Sequence, residues 1–348
     1  EEAVVRQVVE AVGGHQIDRV VCMWEPGVVL AAKLRAALGA PGQDVQQATV
    51  FRNKDLMKQV ITKAGIRTAR HASATTIAQV KAAAEKIGFP VIVKPIAGAG
   101  SADTWAATSP RELATVLERT VHVAEASVEE LIEGDEHTYE TICADGVPVY
   151  ESCTRYYPNV LEARMNEWIS PIIMTLRDRR SPTVCDAVAM GRKAIAALGM
   201  GTGLTHMEWF RTRSGEAVFG EIACRAPGAN MVDLMNYAGD VDLFVEWARA
   251  VVEGRVLATS EQKYHAAIVF KRAKGRGRIA RYEGLDPFVA KYRQHVARLE
   301  LLPIGAPRRD WTQTFLADGN IVVRHPEHDA ALAMAREAAA TIHLHARP

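Results

Sequence analysis

Two stretches of the sequence predict β-hairpins, and a hairpin fixes antiparallel pairing between the strands that it joins. In the first, strand-like segments flank a turn at Asp145-Gly146, and in the second they flank a turn at Ser214-Gly215. Around the hairpins lie segments with helical periodicity, among them residues 181–199. The sequence therefore predicts a fold that combines helices with antiparallel sheet, of the α/β and α+β classes.

Helices and one buried strand are predicted before the hairpins. The segment NKDLMKQVITKA predicts a helix capped by Asn53, and residues 76–88 predict another that ends at a glycine. FPVIVKP, after that glycine, has the short apolar pattern of a buried strand. A run of small residues, AGAGSAD, follows it and is typical of a loop between two strands.

The two ends of the chain have their own patterns. Residues 1–50 predict a helix, the strand RVVCMW over 19–24 and a second helix over 27–39, as in a βα unit. The sequence opens on a helical pattern without Met, so we expect that a leading segment precedes it. At the other end, residues 327–342 predict a final amphipathic helix.

The overall charge gives no sign of a polyanionic partner. The 348 residues include 42 Lys and Arg and 41 Asp and Glu, which gives a net charge of +1. This balance does not favour binding to nucleic acid. No apolar run approaches the ~20 residues of a membrane span, and the acidic start differs from a secretory signal. Five scattered cysteines without a CxxC spacing indicate neither a disulfide framework nor a zinc site. We expect a cytoplasmic protein with no nucleic-acid or membrane partner.

Lys94 lies at a strand end beside Gly98, Gly100 and Ser101. Backbone N–H groups of such a loop can approach phosphate oxygens without a Cβ clash. The pattern is neither a Walker loop, since the lysine precedes the glycines, nor a dinucleotide fingerprint. An ordinary hairpin with a solvated lysine explains it equally well.

The second hairpin carries a pair of carboxylates. His206 and Glu208 are two residues apart and project from one face of a strand, and Glu221 lies on the partner strand. Facing cross-strand side chains come within ~5–8 Å, so the two glutamates are placed to share Mg²⁺. The alternative is a pair of solvated glutamates on an exposed sheet face.

Five motifs now stand in order along the chain, NKDLMK, VIVKP-AGAGS, VEELIEGDE, HMEWF and GEIACRAPG. Together they resemble the ATP-grasp superfamily, in particular its carboxylate–amine ligases of the L-amino acid type. The resemblance implies a Rossmann-like N-terminal domain, truncated at its start, and two α+β lobes that clamp ATP. It divides the chain into the N-terminal part (1–50), the smaller lobe (51–126), and the larger lobe with the metal site and a C-terminal subdomain (127–348).

The resemblance also assigns nucleotide contacts. Two lysines and the glycine-rich loop would contact the phosphates, a hinge would meet adenine mainly through the backbone of Glu130 and Ile132, and Glu136 would bind the ribose hydroxyls. The residues so implied are Lys54, Lys94, Gly98, Gly100, Ser101, Glu129, Glu130, Ile132 and Glu136.

Metal and catalytic roles follow in the same way. Glu208 and Glu221 would hold one or two Mg²⁺ ions, with Mn²⁺ as an alternative, and Arg225 would act with Glu221 on the acyl phosphate and the oxyanion. Two residues depart from the family: Ala223 stands where an Asn usually binds the second ion, and Ala229 stands where a biotin carboxylase has a further Glu.

Residues 154–170 form a stretch rich in aromatic and cationic side chains. Arg155, Tyr156 and Trp168 are candidates for substrate binding, and His206 is a further one beside the metal site. Packing under a surface loop, and a structural role for His206, remain alternatives.

The sequence thus predicts an ATP-dependent enzyme that couples a small-molecule carboxylate, that of an amino acid, to an amine with release of ADP and phosphate. A homodimer is possible. A nucleotide-binding protein without activity, suggested by Ala223, and a biotin-carboxylase-like enzyme are the alternatives.

Overall fold

The structure, a computed structural model, describes residues 1–98, 103–314 and 316–348. Side chains cap several helices as the sequence predicts: the side-chain oxygen of Asn53 accepts hydrogen bonds from the N–H groups of Asp55 and Leu56. The helices are α1 (Glu2–Val12), α2 (Val28–Leu38), α3 (Val45–Arg52), α4 (Lys54–Lys63), α5 (Ile77–Ile87), α6 (Pro110–Arg119), α7 (Val160–Met165), α8 (Cys185–Ala197), α9 (Met231–Gly239), α10 (Leu243–Glu253), α11 (Leu285–Tyr292) and α12 (His328–Thr341).

The strands pair into three sheets. They are β1 (His71–Ala74), β2 (Val91–Pro95), β3 (Trp105–Ala107), β4 (Ala126–Glu130), β5 (Gly134–Ala144), β6 (Val147–Tyr157), β7 (Ile172–Leu176), β8 (Gly203–Thr212), β9 (Ala217–Ala223), β10 (His265–Phe270), β11 (Lys274–Gly275), β12 (Arg278–Glu283), β13 (Val296–Leu301), β14 (Gly319–His325) and β15 (His343–Arg347). Their orders are β1-β4-β2-β3, β13-β14-β10-β7-β6-β5-β8-β9 and β11-β15-β12. Both predicted hairpins are confirmed, as β5–β6 and β8–β9.

The four-stranded sheet forms a smaller lobe with α5 and α6. Val80 and Leu113 on the helices pack against Val91, Val93 and Val128, all of which are buried. This sheet extends to the end of β4 at Glu130, a few residues beyond the boundary expected at 126.

The eight-stranded sheet is covered on both faces, because side chains alternate along its central strands. Ile172 and Met174 of β7 contribute to a core with helices α8 and α12, whereas Ile173 between them joins a second core with α9. The sheet therefore presents one face to α8 and α12 and the other to α9.

Helix α8 lies against β5 at Gly191, where a Cβ would stand 2.4 Å from Cδ1 of Tyr139. Tyr139 is fully buried, and its hydroxyl donates to Glu151, so the ring has little room to move. We expect Gly191→Ala to lower the free energy of unfolding by about 1–3 kcal/mol despite the better helix propensity of Ala. Denaturant unfolding checks this, with Gly228→Ala as the control because a Cβ there has no neighbour within 4 Å. Wild-type stability in both variants would contradict the expected overpacking.

Two expectations about the ends of the chain are wrong. Residues 19–24 are not a strand, because no strand in the described ranges pairs with them. Val21 is half-exposed, and the Val20 carbonyl accepts a hydrogen bond from the side chain of Arg35 instead. The chain also does not finish on the helix, since β15 follows α12 and pairs with β12. In the described ranges, none of the helices combines the length and the apolar character that a bilayer span requires.

Candidate active site

A cavity of about 400 Å³ lies between the smaller lobe and the β8–β9 hairpin. Part of its wall is apolar, with Ile92 and Leu131 from the smaller lobe and Phe210 and Phe219 from the hairpin. The remaining wall is strongly charged and includes Lys54, Lys94, Glu129, Glu136, Glu208 and Glu221. Such a cavity suits a ligand with an aromatic group at one side and a polyanionic group at the other.

Glu208 and Glu221 face each other directly across β8 and β9, as the sequence predicts. The register shifts immediately after this pair, so that Trp209 is opposite Phe219 and Gly220 is the extra residue. A Cβ at Gly220 would stand 2.8 Å from the Glu208 carbonyl oxygen, so the bulge needs a glycine. The bulge thus allows two buried aromatic residues and two facing carboxylates to share one hairpin.

Lys54 and Lys94 converge on Glu221. Their Nζ atoms lie 3.3 and 3.5 Å from its Oε2, and Lys54 also donates to the Gly98 carbonyl at 2.9 Å. Burial opposes ionisation of Glu221, but the two ammonium groups outweigh burial and lower its pKa to about 2. Glu221 therefore carries a full negative charge at neutral pH.

Lys58 is a member of this charged group that the sequence reading missed. It is completely buried and forms an ion pair with Glu129, which also lies 3.1 Å from Lys94. Burial lowers the pKa of Lys58 to about 8, while the two lysines hold that of Glu129 well below its usual range despite burial. The signal was present, because Lys54 and Lys58 are four residues apart and share one face of α4.

The hinge residues lie along the cavity wall. Glu130 forms ion pairs with Arg67 and Arg70, and its backbone N–H donates to the Arg70 carbonyl. The Ile132 N–H has no hydrogen-bond partner within the described residues, and its residue lines the cavity. An amide so placed is available to a planar ligand.

Glu136 is buried beside the hinge. Its Oε2 accepts a hydrogen bond from the Val160 N–H at 2.7 Å, and across the described chain Oε1 accepts none. Burial, with the charge of Glu208 as the second cause, raises the pKa of Glu136 to about 8. Of the glycine-loop residues, Gly98 lines the cavity, whereas Gly100 and Ser101 lie outside the described residues.

Arg225 lies on a separate small cavity of about 20 Å³. Its Nε donates to Oε2 of Glu25 at 2.6 Å, and Arg52 donates to the other oxygen of the same carboxylate. Lys54, Gly98 and Glu221 line both cavities, so the charged wall of the larger one adjoins Arg225. Glu25 was not predicted, because no local pattern connects it to a residue 200 positions away.

His206 lies between Glu208 and the buried Glu140 of β5. Its Nδ1 lies 2.9 Å from Oε1 of the buried Glu140, and its Nε2 lies 3.5 Å from Oε1 of Glu208. Burial disfavours the charged ring, but hydrogen bonds to the two carboxylates outweigh burial and raise its pKa to about 9. The ring is therefore protonated at neutral pH and holds Glu208 in position.

This histidine makes stability depend on pH in metal-free buffer. The folded pKa of about 9 exceeds the unfolded value of about 6.5, so the stabilisation is complete below pH ~6.5 and disappears as the pH rises through ~9. We expect the wild type to lose on the order of 3 kcal/mol of unfolding free energy over this window relative to His206→Gln. Denaturant titrations at several pH values measure the difference, with the exposed His122→Gln as control. A constant difference between the wild type and His206→Gln would contradict the protonated ring.

The three residues proposed from the stretch 154–170 are not at the large cavity. Arg155 pairs with Asp135 at 2.7 Å and lies over the ring of Tyr157. Tyr156 is buried, with its hydroxyl directed at the sulfur of Met231. Trp168 is 82% exposed and lines a third cavity, so substrate contacts for these residues stay predictions.

The two facing carboxylates fit a magnesium ion in part. In the portion of the chain that the structure describes, no group of three or more His, Cys, Asp or Glu side chains is arranged to hold a metal. Ala223, at the position of the usual Asn, is opposite His206 and lines the small cavity. An ion at Glu208 and Glu221 therefore needs further oxygen ligands from a phosphate group or water, which is how Mg²⁺ is commonly held beside nucleotides.

Comparison with known proteins assigns the chain to a family. The sequence pattern of the ATP-grasp domain matches residues 59–236, which is just over half of the chain. The chain belongs to the ATP-grasp family. This ATP-grasp chain is also similar in structure to an L-amino acid ligase from Bacillus licheniformis, with a TM-score of 0.80 and 20% identity over 100% of this chain and 85% of that one. The fold expected from the motifs is confirmed.

Curated relatives share about a quarter of their residues with this chain over the matched stretches. The L-arginine-specific L-amino acid ligase of Bacillus subtilis is 26% identical over 234 residues, which are 65% of this chain and 56% of the relative. An alanine–anticapsin ligase of Bacillus subtilis is 27% identical over 274 residues, 70% of this chain and 56% of the relative. The chain thus spans a little over half the length of the curated relatives that it matches.

Proposed function

We propose that this chain is an ATP-dependent ligase that activates the carboxylate of an amino acid as an acyl phosphate and joins it to an amine. The observation that carries the proposal is the wall shared by the two cavities. Lys54 and Glu221 belong both to the cavity that suits a nucleotide and to the one that contains Arg225 and Glu25. A phosphate group bound at this wall would lie next to Arg225, the cation proposed to act on the acyl group.

The nucleotide is proposed to lie in the larger cavity. The free Ile132 N–H and the apolar wall receive adenine, and Oε1 of Glu136 receives the ribose hydroxyls. Lys54 and Lys94 bind the phosphates, which take the place of Glu221 as their anionic partner. Glu208 and Glu221 are then free to hold Mg²⁺ or Mn²⁺, which supplies positive charge to the phosphate oxygens.

The reaction needs no protein nucleophile. A carboxylate oxygen of the substrate forms a bond to the γ-phosphorus while the bond to ADP breaks, and the lysines stabilise the charge on the phosphoryl oxygens. The amine nitrogen then bonds to the acyl carbon, the acyl C–O bond breaks, and phosphate leaves while the nitrogen loses a proton. Arg225 stabilises the oxyanion formed in this second step, and Glu25, which pairs with both Arg225 and Arg52, positions the arginine.

Incubation with Mg-ATP and a panel of L-amino acid pairs tests the proposal. The expected result is phosphate and ADP formed only with particular pairs, together with a product whose mass is that of the two amino acids less water. Formation of AMP and pyrophosphate would contradict an acyl phosphate. Mg-ATP binding in calorimetry without turnover for any pair would favour the second candidate, a nucleotide-binding protein without activity, which the methyl group at Ala223 supports. The cytoplasmic location and the homodimer stay predictions.

A further inference from the structure

A third cavity, of about 700 Å³, lies outside the site described above and has none of its lining residues in common with it. It is enclosed by the loop after α7, the segment after β10, and the ends of α12 and β15. Five cationic side chains and a single carboxylate line it. The charged residues are Lys271, Arg272, Lys274, Arg276, Arg308 and Glu167. We call it the basic cavity.

The carboxylate does not neutralise the basic cavity. Glu167 is already paired with Arg308 at 2.6 Å, and Arg308 also contacts the buried Asp318. Within the described residues, Lys274 and Arg276 form no ion pair. Two exposed cations therefore line the basic cavity without an ion-pair partner in the described part of the chain.

The local backbone places these two cations together. Lys274 and Arg276 stand on either side of Gly275, and both line the basic cavity. Gly275 and Gly277 have φ near +90°, and a Cβ at either would stand within 2.4 Å of a carbonyl oxygen of β15. The two glycines thus let the segment that carries Lys274 and Arg276 lie directly on β15.

Two further cations form the buried floor of the basic cavity. Lys271 is 1% exposed, and its Nζ donates to the carbonyls of Ala338 and Ala339, which leaves one of its three N–H donors. Arg272 is 8% exposed, donates to the carbonyls of Ala163 and Asn166, and keeps an Nε without a partner in the described structure. Neither cation forms an ion pair within the described residues, and burying them in this way costs free energy that a bound anion would recover.

Burial and neighbouring lysines lower the pKa of two groups in the basic cavity. Burial, with Lys274 as the second cause, lowers the pKa of Lys271 to about 7. The pKa of His343, at the same wall, is also lowered by burial and then by Lys274 and Lys271. The cavity thus concentrates positive charge at a partly buried surface.

We propose that the basic cavity binds a small polyanion carrying two or more phosphate or carboxylate groups. Lys274 and Arg276 contact its outer groups, and the buried Lys271 and Arg272 form the floor beneath it. The exposed indole of Trp168 supplies a flat wall beside it. The site is independent of the proposed ligase reaction.

Calorimetric titration of the full chain in magnesium-free buffer with EDTA tests this, with inorganic pyrophosphate in one arm and citrate in the other. We expect saturable binding of at least one probe at about one per chain, weakened about tenfold or more in Lys274→Gln/Arg276→Gln. Both side chains are exposed, so this variant should keep the wild-type melting temperature. Binding of pyrophosphate alone identifies phosphate as the recognised group, and binding of citrate alone identifies carboxylate.

Two controls locate the binding. Lys81→Gln/Lys86→Gln removes the same charge from the exposed face of α5 and should bind as the wild type does. Lys54→Met alters the nucleotide cavity and should also retain binding to the basic cavity. The proposal is overturned by an absence of saturable binding below about 1 mM for both probes. It is equally overturned if Lys274→Gln/Arg276→Gln binds as tightly as the wild type.

Discussion

Glu221→Gln should lose ligase turnover by about a hundredfold to a thousandfold or more while remaining folded. The carboxylate is the shared partner of Lys54 and Lys94 and the cross-strand partner of Glu208. An amide keeps the size of the side chain but brings no charge to a metal ion. Phosphate release with an active amino acid pair measures the loss, and calorimetry with Mg-ATP should show weakened binding of the nucleotide.

Glu216 offers a matched control for this change. It is exposed on the same hairpin, beside the turn, and its only ion pair in the described structure is a long one with Arg67. Glu216→Gln should therefore keep wild-type turnover. Turnover by Glu221→Gln at the wild-type rate would show that the facing carboxylates do not hold the metal in catalysis.

Arg225→Met should separate nucleotide binding from ligation. Arg225 lines only the small cavity, so Mg-ATP should bind with nearly wild-type affinity, while product formation falls about a hundredfold or more. Glu25 keeps Arg52 as a partner in this variant, which limits the cost to stability. Calorimetry and product mass measure the two quantities independently.

The control for Arg225→Met is Arg213→Met, which removes an exposed arginine at the turn of the same hairpin. It should leave both nucleotide binding and product formation unchanged. Equal losses of nucleotide affinity and of turnover in Arg225→Met would place this arginine at the phosphates of ATP and not at the acyl group.

Short-range chemistry made the central part of the site predictable. A turn signal at Ser214-Gly215 sets the pairing of β8 with β9, and the bulge at Gly220 then brings Glu221, instead of Gly220, opposite Glu208. The bulge at Gly220 was not predicted, although an isolated glycine within a strand pattern and the successive apolar residues Val218 and Phe219 both indicate one. Lys58 could have been predicted as part of the charged group, since helical spacing places it beside Lys54 on α4.

The positions of other residues could not be predicted, because they depend on tertiary contacts between segments that are distant in sequence. Arg155 and Tyr156 were both assigned to a substrate loop, but they are neighbours on β6, so their side chains project to opposite faces of the sheet. The segment 19–24 was predicted as a strand from its apolar residues, but within the described residues no neighbouring strand pairs with it. Glu25 lies just after that segment and reaches Arg225 only because the tertiary fold brings the two together.

This contact between Glu25 and Arg225 has a consequence for chimeric enzymes. The segment before α2 and the segment after β9 are joined by a carboxylate with an arginine on either side. If only one of these segments is exchanged for that of a relative, Glu25 or Arg225 faces a residue that is not selected to pair with it. The smallest exchangeable unit in this protein therefore consists of both segments, although they are far apart in the gene.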